Sequence, residues 1–399
     1  MSTSIYGRAV VLGLLIAVGA FAIDMYIPGF AAIARDLHSD PGTVQLSMTS
    51  FFAALAIGQL IYGPVSDALG RRPPIFAGLA LFLIACVAAA LAPSIGMLIA
   101  ARFVQGLGAA ATAVIPMAVI RDQHTGPEAA RLLSLAIGAL SISPILAPVF
   151  GGLLVQYTSW RVIFVVLIAI VAMVWLMVAR LLPETLPPAQ RVRLRPLGVL
   201  LTYRRLLTDR RFLAPIAIAA CAQAVLFIFI SGSPFVFVTL HGLTPSVFGL
   251  LFALHAICLI GTSQFNAPLL RRFGAARLIG VSSAVLSLAA LAFAALVFGD
   301  LAPLWPLVLL TLLMFFSLSQ ILGPALLAAM EPFGAVAGAA AAIGTGTEFT
   351  FSSVTTFLMG MSADGTARPM GFTVAAAACG TFAGWAWFSR IAAPHARPG

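Results

Sequence analysis

The sequence predicts an all-α integral membrane protein with twelve transmembrane helices arranged as two six-helix pseudo-repeats. Three observations lead there. Only 9% of the 399 residues are charged while 61% are hydrophobic, and mean hydropathy is +1.09; soluble domains carry about 25% charged residues. Apolar stretches long enough to cross a bilayer, roughly 20 residues each, recur twelve times along the chain. The longest charged stretch, Pro183 to Arg211, follows the sixth of them and separates two halves.

Spans are expected near residues 10–31, 43–65, 74–93, 96–120, 132–156, 160–182, 212–240, 246–266, 277–298, 304–329, 335–361 and 370–391. The connections between them are too short for a soluble domain. The expected division is an N-terminal bundle, 1–182, a cytoplasmic linker, 183–211, and a C-terminal bundle, 212–399. Pro183, Pro187, Pro188 and Pro196 favour an irregular start to the linker. Its later part, "LGVLLTYRRLL", reads as an amphipathic helix on the inner membrane face, with arginines near anionic headgroups.

All 22 basic residues are arginine, and the pI is about 10.7. In a soluble protein that would suggest nucleic acid. Here the excess follows from the tendency of cytoplasmic loops to be positive, and no nucleic-acid partner is expected. With the N-terminus inside, eighteen arginines lie on the cytoplasmic side, among them Arg8, Arg71, Arg72, Arg121, Arg193, Arg195, Arg271, Arg272 and Arg397; only Arg35, Arg161 and Arg368 lie outside. Both termini are therefore expected in the cytoplasm. "AFA", Ala20 to Ala22, looks like a signal-peptide cleavage site, but removal of the first span would break the even count of twelve. The four cysteines sit singly inside spans, a pattern that suggests packing instead of a disulfide framework or a metal site.

An internal repeat supports the division into halves. "GPVSDALGRRPP" follows span two and "APLLRRFGAARL" follows span eight; an offset of 204 aligns Pro64 with Pro268 and Gly70 with Gly274.

Few charges fall inside the spans, and each needs a reason, since a central aspartate costs on the order of 2.5–3.5 kcal/mol even on lenient insertion scales. Asp24 in "AVGAFAIDMYIPGF" is about 14 residues into an outward-running helix, roughly 21 Å from the inner boundary. Arg102, about six residues into an inward-running span, reaches the same depth in a core of about 30 Å. Arg102 is thus the expected partner of Asp24. Burial and a guanidinium bias a carboxyl group in opposite senses, which suits a group that must gain and lose a proton. Pro28 cannot donate to the Asp24 carbonyl, leaving it free and the helix flexible. Tyr26 and Gln105, close in sequence to the two charges, complete this candidate proton- and substrate-binding group.

Further candidates follow the same logic. In "GPVSDALGRRPPIF", Gly63 and Gly70 would permit tight turns, and Asp67 and Arg71 would pair across helix ends. Span four, "ARFVQGLGAAATAVIPMAVIRD", has a small-residue run for close helix approach and ends in Arg121-Asp122 beside that loop. In span five, "SPILAPVFGGLL", Pro144 and Pro148 should bend the helix. Glu348 in "GTGTEFTF" lies near mid-depth of span eleven and must find a partner, stay protonated or face a wet cavity. It is expected to act as a second proton site or as an anchor for cations. Polar His255, Gln264, Asn266 and Gln223 are read as helix–helix hydrogen-bonding groups.

Together "DMYIPGF", "QLIYGPVSDALGRRPP", "RFVQGLGAAATAVIPMAVIRD", "WRVIFVV" and "LPETL" resemble the bicyclomycin-resistance (Bcr/CflA) drug–proton antiporters of the major facilitator superfamily. The likeness is dense over residues 24–185 and thin afterwards, with "SGSPFVF" as the clearest later echo. "APVFGG" resembles the antiporter motif of drug exporters at Pro148, Gly151 and Gly152, but Ala147 stands where that motif has glycine. The resemblance implies a major facilitator fold, export of a chloramphenicol-, florfenicol- or bicyclomycin-like drug, and a proton gradient as energy source without a cofactor. It implies that Asp24 is the acid linked to drug release, that Arg102 tunes it, and that Asp67, Arg71 and Asp122 lock the inner side. A monomer in contact with lipid, drug and proton is expected. The alternative is an exporter of a sugar, nucleoside or other metabolite on the same fold. A membrane-embedded enzyme would need clustered acidic or histidine residues at a helix end, and an ATP-driven pump a G-x-x-x-x-G-K-[ST] loop; neither pattern occurs in the sequence.

Overall fold

The computed structural model describes residues 5–123, 126–192, 196–299 and 301–392. Each predicted span coincides with a helix: α1 (Ile5–Asp24), α2 (Pro41–Leu69), α3 (Arg72–Ala90), α4 (Ile95–Gln123), α5 (Gly126–Tyr157), α6 (Trp160–Leu181), α7 (Arg210–Pro234), α8 (Pro245–Ser263), α9 (Ala275–Phe298), α10 (Leu304–Met330), α11 (Ala337–Met361) and α12 (Arg368–Ala392). Among the described residues nine helical stretches are long and apolar enough to cross a membrane; the other three predicted spans lie on α5, α11 and α12. Large apolar side chains such as Ile84, Leu176, Leu288 and Leu309 are exposed along these helices. A bilayer, in which every backbone polar group must be satisfied internally, suits such a surface.

Local sequence sets the helix starts. The Asp40 carboxylate accepts the Thr43 N–H at 2.8 Å ahead of Pro41 in the first turn of α2. Ser159 caps α6 through the Arg161 N–H, and Asp209 caps α7 through the Arg211 N–H.

By backbone contacts the chain forms two compact units, Met1–Pro196 with Thr244–Ala253, and Leu197–Leu243 with Leu254–Gly399. In the first, α4 packs against both α2 and α3 along its buried run Gly106, Gly108, Ala109, Ala110 and Ala111. A Cβ at Gly106 would collide with the Phe51 carbonyl, so the backbones meet where only small residues fit. In the second unit, α7 packs against α10, α11 and α12. His255 Nε2 and Thr311 Oγ1 are 2.8 Å apart, and the Asn266 amide donates to the Ser319 carbonyl at 2.9 Å. Those two polar groups therefore join helices as expected, whereas the Gln264 amide bonds within its own stretch to the Ile260 carbonyl and Ser263.

The repeat is visible in the backbone. Gly70 has φ +93° and ψ 171°, Gly274 has φ +75° and ψ 158°, and each lies within two residues of the start of the next long helix. That left-handed conformation is one a β-carbon disfavours, which accounts for the matched glycines. Gly63 departs from expectation, because α2 runs on through Pro64 to Leu69 and Gly63 is an ordinary helical residue. In the linker, Pro196–Thr208 forms a helix with Leu197, Leu200 and Leu201 exposed and Leu206 buried. Arg193, Arg195 and Arg397, used in the topology argument, lie outside the described residues.

Candidate functional site

The first span is broken where the sequence places its charge. α1 ends at Asp24; a single 3-10 turn, Ile27–Gly29, follows, and a helix resumes at Phe30–Asp36. Met25 N–H still reaches the Phe21 carbonyl at 3.1 Å, but Pro28 has no N–H to offer, and the Asp24 carbonyl receives no backbone bond among the described residues. A neighbouring helix supports the break. Gly151 of α5 lies directly against Met25, where any Cβ would overlap the Met25 carbonyl. One residue of the stretch read as an antiporter motif, Gly151, thus packs onto the kink beside Asp24. At the next residue, a Cβ on Gly152 would strike the Pro245 carbonyl, and one on Gly249 would strike the Pro148 carbonyl, all within the first unit.

Asp24 is 5% exposed and forms no hydrogen bond or ion pair with another described residue. Arg102, fully buried, is held otherwise than expected. Its Nη1 donates to the Ala22 carbonyl at 3.1 Å and to Gln105 Oε1 at 2.5 Å, and Nη2 points at Met48 Sδ at 3.1 Å. The guanidinium carbon lies 4.4 Å from the Tyr26 ring centroid and 4.3 Å from that of Phe51. These contacts correct the expected Asp24–Arg102 pairing. Equal depth set the two at one level, but cation–π and carbonyl contacts hold the guanidinium against residues two before and two after Asp24. One donor stays uncommitted, as Arg102 Nε is buried without a hydrogen-bond partner.

Tyr26 and Gln105 join the group as expected. The Tyr26 hydroxyl is 2.7 Å from Ser47 Oγ, and Ser47 donates to the Val44 carbonyl at 2.6 Å. The Gln105 amide donates to Cys86 Sγ at 3.0 Å. Sequence reading missed Ser47, Met48, Phe51 and Cys86, which sit on α2 and α3 as unexceptional span residues. Glu348 is 8% exposed on α11, in the second unit.

The second cluster lies at the other end of the first unit. Arg71 forks onto Asp122, with Nε–Oδ2 at 2.7 Å and Nη2–Oδ1 at 3.1 Å, and its Nη1 donates to Asp67 at 2.6 Å and to Ser66 at 2.8 Å. The expected trio is therefore brought together: the bidentate Arg71–Asp122 pair ties the turn between α2 and α3 to the end of α4, and Asp67 joins from α2. Glu184, from "LPETL" after α6, completes it. Its carboxylate accepts the N–H groups of Arg71, Arg72, Thr185 and Leu186 at 2.8 to 3.1 Å. Partial burial pushes this carboxyl up, but the four N–H donors outweigh it and hold the group below the ordinary carboxylate range. Gly70 admits it, since a Cβ there would lie 2.7 Å from Glu184 Oε2. Thr185 also donates to Asp122, at 3.2 Å. An acidic residue just past a span was the available signal for Glu184.

Membrane-length helices around a buried polar group at a helix break are the build of a multi-pass membrane transporter. The chain belongs to the Major Facilitator Superfamily, whose family model matches residues 12–345. It is 35% identical over 371 residues to an uncharacterized MFS-type transporter, YdgK, of Bacillus subtilis, covering 91% of this chain and 90% of that protein. It is 32% identical over 351 residues to multidrug resistance protein D of Escherichia coli, covering 88% and 87%. It is 28% identical over 365 residues to a bicyclomycin resistance protein homolog of Haemophilus influenzae, covering 92% of each. Among solved structures, a D-xylose–proton symporter superposes with a TM-score of 0.78 at 14% identity, covering 95% of this chain and 98% of that one. At that identity the likeness concerns the fold alone.

Proposed function

We propose that the protein is a proton-coupled antiporter that exports small amphipathic drugs of the chloramphenicol, florfenicol or bicyclomycin kind from the bacterial cytoplasm. It works in the inner membrane as a monomer with both termini inside, and the proton gradient is its energy source. The observation that carries this reading is the environment of Asp24, a carboxyl group 95% withdrawn from solvent at a helix break with no partner among the described residues. The names of the relatives, multidrug resistance protein D and a bicyclomycin resistance protein homolog, support the substrate class.

The arrangement suits a carrier of one proton. Protonated, Asp24 is neutral and needs no ion pair, while Arg102 rests on Tyr26, Phe51, Gln105 and the Ala22 carbonyl. Ionised, Asp24 needs a donor, and the Arg102 Nε–H is a buried donor without an acceptor. A shift of the guanidinium onto Asp24 would then trade ring and carbonyl contacts for an ion pair, coupling proton release to movement of α1 against α4. The break at Asp24 to Gly29, seated on Gly151, is where α1 would bend. In the same scheme the Asp67–Arg71–Asp122–Glu184 cluster latches the cytoplasmic end. One proton moving through 100 mV supplies about 2.3 kcal/mol, enough for a roughly fifty-fold gradient of a neutral drug.

The test is resistance conferred on an exporter-deficient strain, with and without an uncoupler. Drug resistance that collapses when the gradient is dissipated is expected; resistance that survives would require another energy source.

A further inference from the structure

The turn that opens α9 is the second-half counterpart of the latch, and it shares the latch's backbone but not its acids. The offset of 204 that aligns Gly70 with Gly274 sets Arg271 where Asp67 stands and Ala275 where Arg71 stands. In the first unit an anion occupies the start of α3. Glu184 lies against Gly70 and accepts the Arg71 and Arg72 N–H groups, while Asp67 and Asp122 neutralise the Arg71 guanidinium.

That anion has no equivalent in the second unit among the described residues. Gly274 repeats the left-handed backbone, yet a Cβ there would meet no atom within 4 Å. No side chain caps α9, and its first turn holds no acid. Arg277 stands in that first turn instead, where the helix macrodipole disfavours a cation. Its guanidinium carbon lies 5.9 Å from the centroid of the Phe273 ring, and that of Arg272 lies 5.3 Å from the same ring. One ring thus gathers two like charges, with Arg271 next to them in sequence, and all three arginines are exposed. None of the three guanidiniums forms an ion pair or hydrogen bond with another described residue. Like charges held together without a counter-charge call for an anion from outside the chain.

The rings indicate its kind. Phe265 and Phe273, at the two ends of the short helix Asn266–Phe273, are exposed. Aromatic rings beside guanidiniums at the end of a span suit the headgroup level of a bilayer. A free anion would use the arginines alone, whereas a phospholipid uses both, its phosphate on the guanidiniums and its apolar carbons on the rings.

We propose that Arg271, Arg272 and Arg277, on the turn that opens α9, bind the headgroup of an anionic phospholipid of the inner leaflet. The phosphodiester takes the role that the Glu184 carboxylate has in the first unit, and the guanidiniums give it charge-assisted hydrogen bonds. The side of the membrane rests on the orientation proposed above; the site itself does not.

The experiment measures equilibrium binding of three probes to the purified full chain in detergent: dioctanoyl phosphatidylglycerol, which carries a net negative charge, dioctanoyl phosphatidylcholine, which carries none, and inorganic phosphate. Phosphatidylglycerol is expected to bind at least tenfold tighter than phosphatidylcholine and to resist displacement by a tenfold excess of inorganic phosphate. The double variant Arg272→Ala with Arg277→Ala should weaken phosphatidylglycerol at least tenfold. The control, Arg180→Ala with Arg390→Ala, removes two exposed arginines at the ends of α6 and α12 and should change it less than twofold. The melting temperature in lipid-free detergent checks that each variant is folded; should the double variant fail, Arg272→Ala and Arg277→Ala singly decide by the same comparison. Equal affinity for the two lipids overturns the site. Equal loss in the test and control variants also overturns it, since diffuse positive charge would then explain the preference. Displacement by inorganic phosphate overturns the lipid as occupant. Chloramphenicol binding is measured alongside, and a chain that binds phosphatidylglycerol selectively but no chloramphenicol keeps the site while counting against the export function.

Discussion

Arg102 is the most constrained residue of the site, because five different groups hold its guanidinium in a fully buried position. Lysine cannot reproduce that planar fork or stack on two rings. Arg102→Lys is therefore expected to abolish most drug efflux, by tenfold or more, and to lower the melting temperature in detergent; wild-type rates would show that charge alone suffices. Tyr26→Phe is a milder case. It removes the 2.7 Å contact with Ser47 but keeps the ring beneath Arg102, and Ser47 retains its bond to Val44. A loss of about 1 kcal/mol, the net contribution of one hydrogen bond, should appear as a small thermal shift with efflux preserved. Near-complete loss of efflux would give the hydroxyl a direct role. At this scale the sequence told which residues matter and at what depth, but not their pairing. Depth follows from 1.5 Å per residue, whereas the contact of Arg102 with Ala22 instead of Asp24 depends on the helix faces that meet.

Among the elements, the latch shows how exposure grades an ion pair. The Asp67 side chain is 48% exposed and that of Asp122 only 13%, although both bond Arg71. Exposed pairs contribute about 0 to 1 kcal/mol, so Asp122→Asn should slow transport and destabilise the protein more than Asp67→Asn does. Both should leave drug binding in detergent nearly unchanged. Equal loss of binding would mean that the cluster shapes the site itself. Glu184 adds a pH dependence of known sign. Its folded-state carboxyl is held below the ordinary value, so its contribution is fully present above about pH 4.3, the unfolded reference. That contribution fades as pH falls through the lower folded value. The stability difference between wild type and Glu184→Gln should be constant from pH 6 to 8 and shrink below about pH 4; a difference that grew in acid would reverse the assignment. The Asp67–Arg71–Asp122 cluster was legible because motif spacing placed it at helix ends. The support of the α1 break by Gly151 was not, since 127 residues separate Asp24 from Gly151 and only the packing of α5 on α1 brings them together.

Over the whole molecule, apolar stretches of bilayer length located the twelve long helices of the described residues well, because a bilayer imposes one length on every span. They missed helix ends that run past the apolar core, such as the continuation of α2 to Leu69 that places Asp67 on a helix. The proposed orientation, with both termini inside, rests on arginine placement and is open to a direct check. A phosphatase fused to the C-terminus, active only outside the cytoplasm, should be silent, and strong activity would invert the topology. The central claim is that Asp24 couples proton entry to drug exit. Its most direct test is proton-driven drug accumulation in proteoliposomes of known pH gradient, comparing the wild-type chain with Asp24→Asn, which removes the titrating group with little change in shape. Chloramphenicol accumulation against its gradient, driven by the proton gradient in wild type and absent in Asp24→Asn while binding persists, is the predicted result. Undiminished proton-driven accumulation by Asp24→Asn would contradict the account.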